Sequence, residues 1–233
     1  MFKQWIKRRF GQHKWYCLLQ QFYLKWRHIR HRIFFGGRFR DRLILRYFNT
    51  HEVRKLHFSS GERVLPGWLN TDLYVGDIYL NALEPFPLPP ASFDAIYSHH
   101  VIEHFSLANL ERIFGQFLRI LKPGGRIRLV TPSLAALIRA YQEEEPALVR
   151  HYCEGEPLTT PAVAFNTLVF NGTEHRFIFD EKTLSELLSK IGYSDVRFYA
   201  YNQSDDTLFE GIDDHGYAFI AQLSLAVEAT REV

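Results

Sequence analysis

A short apolar run, a turn of small residues and a following acid predict a nucleotide-type cofactor site near the start of the chain. The stretch LHFSSGERVLPGWLNTD contains Ser59, Ser60 and Gly61 after one apolar run and Asp72 at the end of the next. In such sites glycine lets the ligand approach the backbone, and the acid accepts hydrogen bonds from ribose hydroxyls. Ser59 stands where a further glycine is expected. We expect a negative φ there, which serine tolerates, so that cofactor binding persists.

A second cluster of reactive side chains lies in SHHVIEHF and comprises His100, Glu103 and His104. The two histidines are four residues apart, which could bring both imidazoles to one metal ion. No third ligand of suitable spacing follows nearby, so we predict no metal site. The Glu-His pair is then expected to be structural, with Glu103 holding a neighbouring backbone group or His104.

The elements that would carry these residues alternate between strand and helix, which is typical of a parallel sheet with helical crossovers. We predict strands at 55–58, 69–72, 78–82 and 93–98, a helix between Ser106 and Pro123-Gly124-Gly125, and a fifth strand in RIRLVTP. DVRFYAY and AFIAQLSLAV would be the closing strands. The predicted fold is α/β, with a doubly wound, mostly parallel seven-stranded sheet.

The later half of the chain contains a segment rich in Glu and Pro, at about 140–175, which we predict to be an irregular lid or substrate insertion. A helix capped by Ser133 precedes it and a helix capped by Asp180 follows it. An acidic loop, SDDTLFEGIDDHG, lies between the closing strands. The main domain would span 51–233, and residues 1–50 would form a separate basic helical arm.

The composition of the chain indicates the size of its core and the cellular compartment in which it is expected to function. The 233 residues are 46% hydrophobic, enough for one good core. Cys17 and Cys153 form no CxxC pair, which argues against a disulfide framework and favours a reducing compartment. The sequence shows neither an apolar run of membrane-spanning length nor the apolar core of a signal peptide, so we expect a cytoplasmic protein.

The net charge of +2 conceals an asymmetry between the arm and the body. Residues 1–55 contain 15 Lys and Arg against 2 acids, whereas the remainder contains 13 against 24. Apolar residues at steps of three and four predict a long amphipathic helix interrupted at Gly36-Gly37; they are Trp15, Leu18, Leu19, Phe22, Trp26, Ile29 and Ile33. Three interpretations stay open. The apolar face packs on the body or on a second copy, the arm adheres to an anionic membrane surface, or the arm binds the phosphate backbone of a nucleic acid.

Four ordered stretches carry a resemblance to a known family. SFDAIYSHHVIEHF and FLRILKPGGRIRLVTPS resemble class I S-adenosylmethionine-dependent methyltransferases. KLHFSSGERVLPGWLNTDLY is similar to the bacterial type-11-like branch, whose motifs run LHLGCG and then LPGWxNxD, and EHRFIFDEKTLSELLSKIGY is similar to a later part of that branch. The resemblance covers about 53–230, and the ordered set is more specific than any single motif. The arm lies outside it.

The resemblance implies S-adenosylmethionine as the cofactor. Asn81 and Ala82 fall where the family has an Asp-Ala pair beside the adenine, and an amide can both accept and donate hydrogen bonds there. Asn81 is otherwise a loop residue that bonds its own backbone. The predicted cofactor-binding residues are Ser59, Ser60, Gly61, Asp72, Asn81, Ala82, Ser98 and His99.

Methyl transfer from a sulfonium is a displacement on an activated carbon, so the protein mainly aligns the acceptor and needs no metal. A hydroxyl acceptor requires a base near neutral pH, and imidazole has a suitable pKa. We predict His100 and His175 as the catalytic bases, with His215 as a weaker candidate. A lone histidine at position 175 is otherwise a hydrogen-bonded structural residue.

Members of the branch that this chain resembles often accompany surface-glycan or cell-envelope genes. The resemblance therefore implies a small-molecule or glycan acceptor, with a sugar or envelope-precursor hydroxyl as the leading expectation. Two alternatives stay open: an RNA methyltransferase that uses the basic arm, although the sequence has no recognised RNA module, and a catalytically silent module, which Ser59 favours. A dehydrogenase using NAD is disfavoured because the third glycine of GxGxxG is missing.

Overall fold

A computed structural model describes residues 14–154, 156–170, 174–213 and 218–232, without the side chains of residues 14–21 and 218. One sheet has the strand order β3-β2-β1-β4-β5-β7-β6. Its strands are β1 Lys55–Phe58, β2 Leu69–Asp72, β3 Ile78–Tyr79, β4 Phe93–His99, β5 Leu121–Pro132, β6 Tyr193–Tyr199 and β7 Ser224–Arg231. Strands β1 to β5 pair in parallel, and β7 is antiparallel to both β5 and β6. The predicted doubly wound, mostly parallel seven-stranded α/β sheet is confirmed.

The helices of the described ranges are α1 Lys14–Phe35, α2 Gly37–Thr50, α3 Leu107–Ile120, α4 Leu134–Gln142, α5 Pro146–Tyr152, α6 Pro161–Phe170, α7 Glu181–Ile191 and α8 Ala218–Gln222. The side chain of Ser133 accepts a hydrogen bond from the first turn of α4, and Asp180 does the same for α7. Both predicted caps are confirmed, and each satisfies a backbone donor that the helix itself leaves unpaired.

Three predicted boundaries are wrong. The third strand ends at Tyr79, and AFIAQ forms α8 because its short alternation of apolar residues does not distinguish a helix turn from a strand. Pro123-Gly124-Gly125 does not separate helix from strand but lies inside β5. At Gly125 a Cβ would lie 3.1 Å from the Phe93 carbonyl oxygen, so glycine lets β5 approach β4 where their register shifts.

The segment at 140–175 is largely helical rather than irregular. Helices α5 and α6 lie within it, and Leu148, Ala164 and Leu168 are buried together against Leu137 of α4. Both helices begin with a proline, which is tolerated in the first turn because the missing N–H has no helical partner there. The prolines therefore mark the starts of helices, which is why the prediction of an irregular segment is wrong.

The core lies on both faces of the sheet, so β4 is buried on both sides as a central strand. On one face Ile96 joins a cluster that includes Phe114 of α3 and Leu184 of α7. On the other face Ala95 and Tyr97 join a smaller cluster with Trp68 and Phe209. Because Phe209 belongs to the acidic loop, that loop covers the sheet and is not a free surface segment.

The arm is formed by α1 and α2, which are separated at Gly36 as predicted. Its predicted apolar face does not pack on the body. Phe22, Trp26, Ile29 and Ile33 are 72%, 51%, 56% and 68% exposed, whereas His31 is buried. The side chains of Trp15, Leu18 and Leu19 lie outside the described residues. Among the described residues, none of the helices is both long and apolar enough to cross a membrane.

Candidate active site

The turn after β1 and the end of β2 are joined by backbone and side-chain hydrogen bonds. The N–H of Ser60 donates to the carbonyl of Thr71 over 2.9 Å. Asp72 accepts at Oδ2 from the N–H of Gly61, over 3.2 Å, and at Oδ1 from the N–H of Tyr74, over 2.7 Å. A carboxylate has about four acceptor positions, so these two bonds orient Asp72 and leave positions for two ribose hydroxyls.

The backbone of the turn differs from the prediction at Ser59. Its φ is +51°, in the left-handed region, so the expected negative φ is wrong. Gly61 also has a positive φ, +56°, and a Cβ there would meet no atom within 4 Å. Glycine at 61 is therefore required by conformation, and the space beside it is open. These features fit a cofactor that approaches the backbone at this turn.

Asn70 organises the connection between β1 and β2. Its side-chain oxygen accepts from the N–H of Leu65, over 2.9 Å, and lies 3.1 Å from Nδ1 of His57. Its amide group donates to the carbonyl of Trp68 and to Asp77. Sequence reasoning attached no role to Asn70. These hydrogen bonds fix the path of the LPGWLN segment, which leads into β2 and so to Asp72 at its carboxyl end.

The other predicted cofactor-binding residues lie beside neighbouring strands, and their roles stay predictions. Asn81 accepts from the N–H of Leu83 and donates to Glu84, each over 3.0 Å, which is the local bonding expected of a loop residue. Ala82 packs against the main core. Ser98 is buried, and its hydroxyl has no hydrogen-bond partner among the described residues. His99 lies 3.3 Å from the hydroxyl of Tyr201.

A cavity of about 180 Å³ lies beside the carboxyl end of β4. Its polar lining consists of His100, Glu103, His104 and His175, together with Tyr152 of α5. The two predicted bases, His100 and His175, are therefore brought to the same cavity from positions far apart in the sequence. Their catalytic roles stay predictions. His215 lies outside the described residues.

Glu103 is the centre of the polar lining and is completely buried. Its Oε1 lies 3.2 Å from Nδ1 of His100, and its Oε2 accepts from the hydroxyl of Thr131 over 3.1 Å. The structure thus pairs the Glu103 carboxylate with His100 and Thr131, whereas a neighbouring backbone group or His104 was predicted. Its backbone carbonyl accepts from the N–H groups of Arg176 and Phe177, which holds the segment after His175 against the end of β4.

The electrostatics of the cavity follow from burial and from this pairing. Burial opposes the charged form of Glu103, but the interaction with the neighbouring His100 imidazole outweighs it and lowers the pKa of the carboxyl below its ordinary value. Burial lowers the pKa of His175, although the charge of Glu103 opposes that change. The cavity therefore contains an anionic carboxylate and, at His175, an imidazole that is neutral at pH 7.

His100 has a φ of +52°, which is uncommon for a residue with a side chain. Such conformations concentrate at functional sites, where the surrounding structure maintains them. Here the N–H of His100 donates to the carbonyl of Val130 over 2.8 Å, and Nε2 of its ring lies 3.1 Å from the Ser224 hydroxyl. The ring is thereby held at the rim of the cavity.

The arm packs beside β3 and the connection that leads to it from β2. The ring of His28 contacts the rings of Tyr74 and Tyr79, at 6.0 Å and 5.5 Å between centroids. Nε2 of His31 lies 3.4 Å from the Gly76 carbonyl oxygen. Helix α1 thus covers the connection that follows Asp72, a relationship that sequence reasoning did not predict.

Three solved structures with similar chain paths are distant from this chain in sequence. A SAM-dependent methyltransferase from Archaeoglobus fulgidus is 16% identical, with 87% of this chain and 98% of that chain covered and a TM-score of 0.47. A possible histamine N-methyltransferase from Thermotoga maritima is 16% identical, with 81% and 89% covered and a TM-score of 0.48. Phosphoethanolamine N-methyltransferase 2 of Haemonchus contortus is 15% identical, with 88% and 57% covered and a TM-score of 0.47. No curated protein matches the sequence.

The sequence itself matches a family model described as a methyltransferase domain over residues 60–129. That range begins in the turn at Ser60, includes Asp72 and the whole of β2 to β4, and ends within β5. It therefore contains Ser60 and Gly61 of the turn, Asp72, and the His100, Glu103 and His104 cluster, but not Ser59 or His175. Over residues 60–129 the chain is therefore similar to a methyltransferase domain, and this part lies within the seven-stranded α/β sheet described above.

Proposed function

We propose that this protein is an S-adenosylmethionine-dependent methyltransferase that acts on a hydroxyl group of a glycan or cell-envelope precursor at an anionic membrane surface. The observation that carries the proposal is the cavity at the end of β4, where His100, His104 and His175 converge with a buried carboxylate. A hydroxyl is a weak nucleophile unless a neighbouring base removes its proton. Three imidazoles around one cavity supply candidates for that base.

The reaction would proceed in one displacement. An imidazole, His100 or His175, accepts the proton of the acceptor hydroxyl while the oxygen forms a bond to the methyl carbon. The carbon–sulfur bond breaks, and its electron pair stays on sulfur as neutral S-adenosylhomocysteine leaves. The lowered pKa of His175 favours this role because the imidazole must be neutral to accept a proton.

The arm supports action at a membrane surface. The sequence of α1 contains no acidic residue, and Lys25, Arg30 and Arg32 are exposed near its apolar face. The guanidinium of Arg30 also lies 5.1 Å from the Trp26 ring centre. This arrangement matches an anionic bilayer. The apolar side chains would enter the interface, and the cationic side chains would contact the headgroups.

Product identification tests the acceptor. The protein would be incubated with S-adenosylmethionine carrying a ¹³C-methyl group and with polysaccharide, glycolipid and RNA fractions of a bacterial cell. We expect label in a glycan or glycolipid fraction, as a methyl ether that survives acid hydrolysis. Label confined to RNA or to an amine nitrogen would refute the hydroxyl acceptor. Asp72→Ala protein is the control for transfer that does not use the cofactor site.

Vesicle sedimentation tests the arm. We expect binding to vesicles that contain anionic lipid, weakening with salt, and loss of binding in Trp26→Glu/Ile29→Glu protein. Val64→Glu, at an exposed apolar residue outside the arm, is the matched control. Membrane attachment would be contradicted if the arm variant bound vesicles as well as wild type does. It would also be contradicted if wild type bound no vesicles but self-associated, and the two substitutions abolished the self-association.

A further inference from the structure

We propose that Glu103, His104 and His175 form a binding site for a divalent transition-metal ion, with Zn²⁺ as the ion whose preferences they match best. Each residue offers one ligand atom, and the three atoms lie within 4.8 Å of one another. Two imidazoles and one carboxylate are a recurrent three-ligand set for zinc sites that keep an open fourth position. Sequence reasoning found no third ligand because His175 is distant from His104 in the chain.

The spacing of the ligand atoms is close to what coordination requires. Zinc–nitrogen and zinc–oxygen bonds of 2.0 to 2.2 Å place neighbouring ligand atoms about 3.4 Å apart in a tetrahedral site. The three side chains therefore need to approach one another by up to about 1.4 Å, which rotation of His104 and His175 can supply. The rings of these histidines are already in contact, with 4.9 Å between their centres.

The surroundings of the three residues orient them as metal ligands are oriented in proteins. Nδ1 of His104 lies 3.3 Å from the Glu174 carbonyl oxygen, and donation there leaves Nε2 free to coordinate. Oε2 of Glu103 accepts from Thr131, which leaves Oε1 available. A backbone carbonyl behind a histidine and a hydroxyl behind a carboxylate are common second partners of metal ligands.

Two buried atoms at the site have no hydrogen-bond partner among the described residues, namely Oε1 of Glu103 and Nδ1 of His175. The ion pair of Oε1 with His100, at 3.2 Å, has the distance but not the angles of a hydrogen bond. Buried polar atoms without partners are costly, and Glu103 is 0% exposed. A bound cation would satisfy both atoms at once.

The metal site deepens the proposed function, on which its catalytic consequence rests. An ion at the cavity would attract the acceptor oxygen to its open position and lower the pKa of the hydroxyl. His175 would then be a ligand, and His100, at the rim, would be the imidazole that takes the proton. The group-transfer step is otherwise unchanged.

Direct metal binding tests the site without any assay of methyl transfer. Purified protein stripped with a chelator would be titrated with Zn²⁺ against a chromophoric competitor. We expect one equivalent to bind and a rise in the thermal unfolding midpoint. His104→Gln and His175→Gln should each weaken binding by at least about 100-fold, since loss of an outer partner alone costs about 10- to 100-fold.

His151→Gln is the matched control, because His151 is exposed and lies outside the cavity lining. It should bind Zn²⁺ as wild type does. Binding of S-adenosylmethionine by each variant would show that the fold and the cofactor site persist. Absence of Zn²⁺ uptake by the wild type, or equal uptake by all three histidine variants, would overturn the metal site while leaving the acceptor proposal intact.

Discussion

The backbone N–H of Gly61 donates a hydrogen bond to Oδ2 of Asp72 over 3.2 Å, which ties the turn after β1 to the end of β2. The carboxyl ends of adjacent parallel strands meet where ligands of open α/β sheets bind. One carboxylate thus fixes the turn and keeps acceptor positions that the predicted contact with the cofactor ribose would use.

Replacement of Ser59 by glycine should stabilise the protein. The left-handed conformation costs a residue with a side chain about 1–2 kcal/mol, and glycine would remove this cost. Glycine also makes the unfolded chain more flexible, which offsets about 0.4–1 kcal/mol of the stabilisation. We therefore expect Ser59→Gly to raise the free energy of unfolding by about 0.5–1 kcal/mol in urea melts. Ser60→Gly is the control, and it should not stabilise. A loss of stability in Ser59→Gly would contradict the positive φ.

The acidic loop should be required for folding through Asp213. Nε of Arg128 donates to Oδ1 of Asp213 over 2.9 Å, and all of Arg128, Asp213 and Glu228 are buried. Removal of one member leaves an uncompensated buried charge, so we expect Asp213→Ala to lower the free energy of unfolding by about 3–5 kcal/mol. Asp205→Ala, in the same loop but 74% exposed, should change it by less than about 0.5 kcal/mol. Similar unfolding curves for both would refute the structural role.

The sequence predicts those features that local chemistry decides. Strands β1 and β2 are apolar runs bounded by turn residues, and Asp180 caps its helix through a contact three residues away. The φ of Ser59 and the position of His175 depend on contacts between distant segments, such as that of Arg176 with the Glu103 carbonyl. No local pattern contains such contacts.

The face of the arm that packs on the body illustrates the same limit. A helical period identifies a stripe of residues but not the surface that it meets. In α1 the exposed stripe is the apolar one that includes Trp26, whereas the residues that contact the body include His28 and His31, three positions apart. Both sets of residues have helical spacing, so only the fold distinguishes them.

Docking of the arm should weaken in acid because of His31. Burial lowers the pKa of His31 below 6.5, although the Gly76 carbonyl and the charge of Asp72 oppose this change. A histidine whose folded pKa is depressed binds fewer protons when folded, so its contribution is complete above pH 6.5 and falls as the pH decreases from there. Thermal unfolding midpoints of wild type should therefore fall more steeply below pH 6.5 than those of His31→Gln. If the midpoints of wild type and His31→Gln fell in parallel with decreasing pH, this prediction would be contradicted. The midpoints of the control variant His151→Gln should follow those of wild type.

Loss of the His175 side chain should impair methyl transfer without impairing cofactor binding. Whether it accepts the proton or holds a metal ion, it acts on the acceptor, so turnover of His175→Ala should fall by about 100-fold or more. The affinity for S-adenosylmethionine, measured by calorimetry, should stay close to that of wild type. If turnover and cofactor affinity fell equally, His175 would be a structural residue. The control variant His151→Ala should retain both turnover and cofactor affinity.

Calorimetric titration of S-adenosylmethionine tests most directly whether the joined ends of β1 and β2 form the cofactor site. Hydrogen bonds to a charged group contribute about 1.5–3 kcal/mol, so Asp72→Ala should weaken binding about tenfold to a few hundredfold relative to wild type. Asp72→Asn retains the shape of the side chain and can still accept hydrogen bonds, so its affinity for S-adenosylmethionine should lie between those of wild type and Asp72→Ala. Absence of binding by folded wild-type protein, or unchanged affinity in Asp72→Ala, would contradict the assignment of this site.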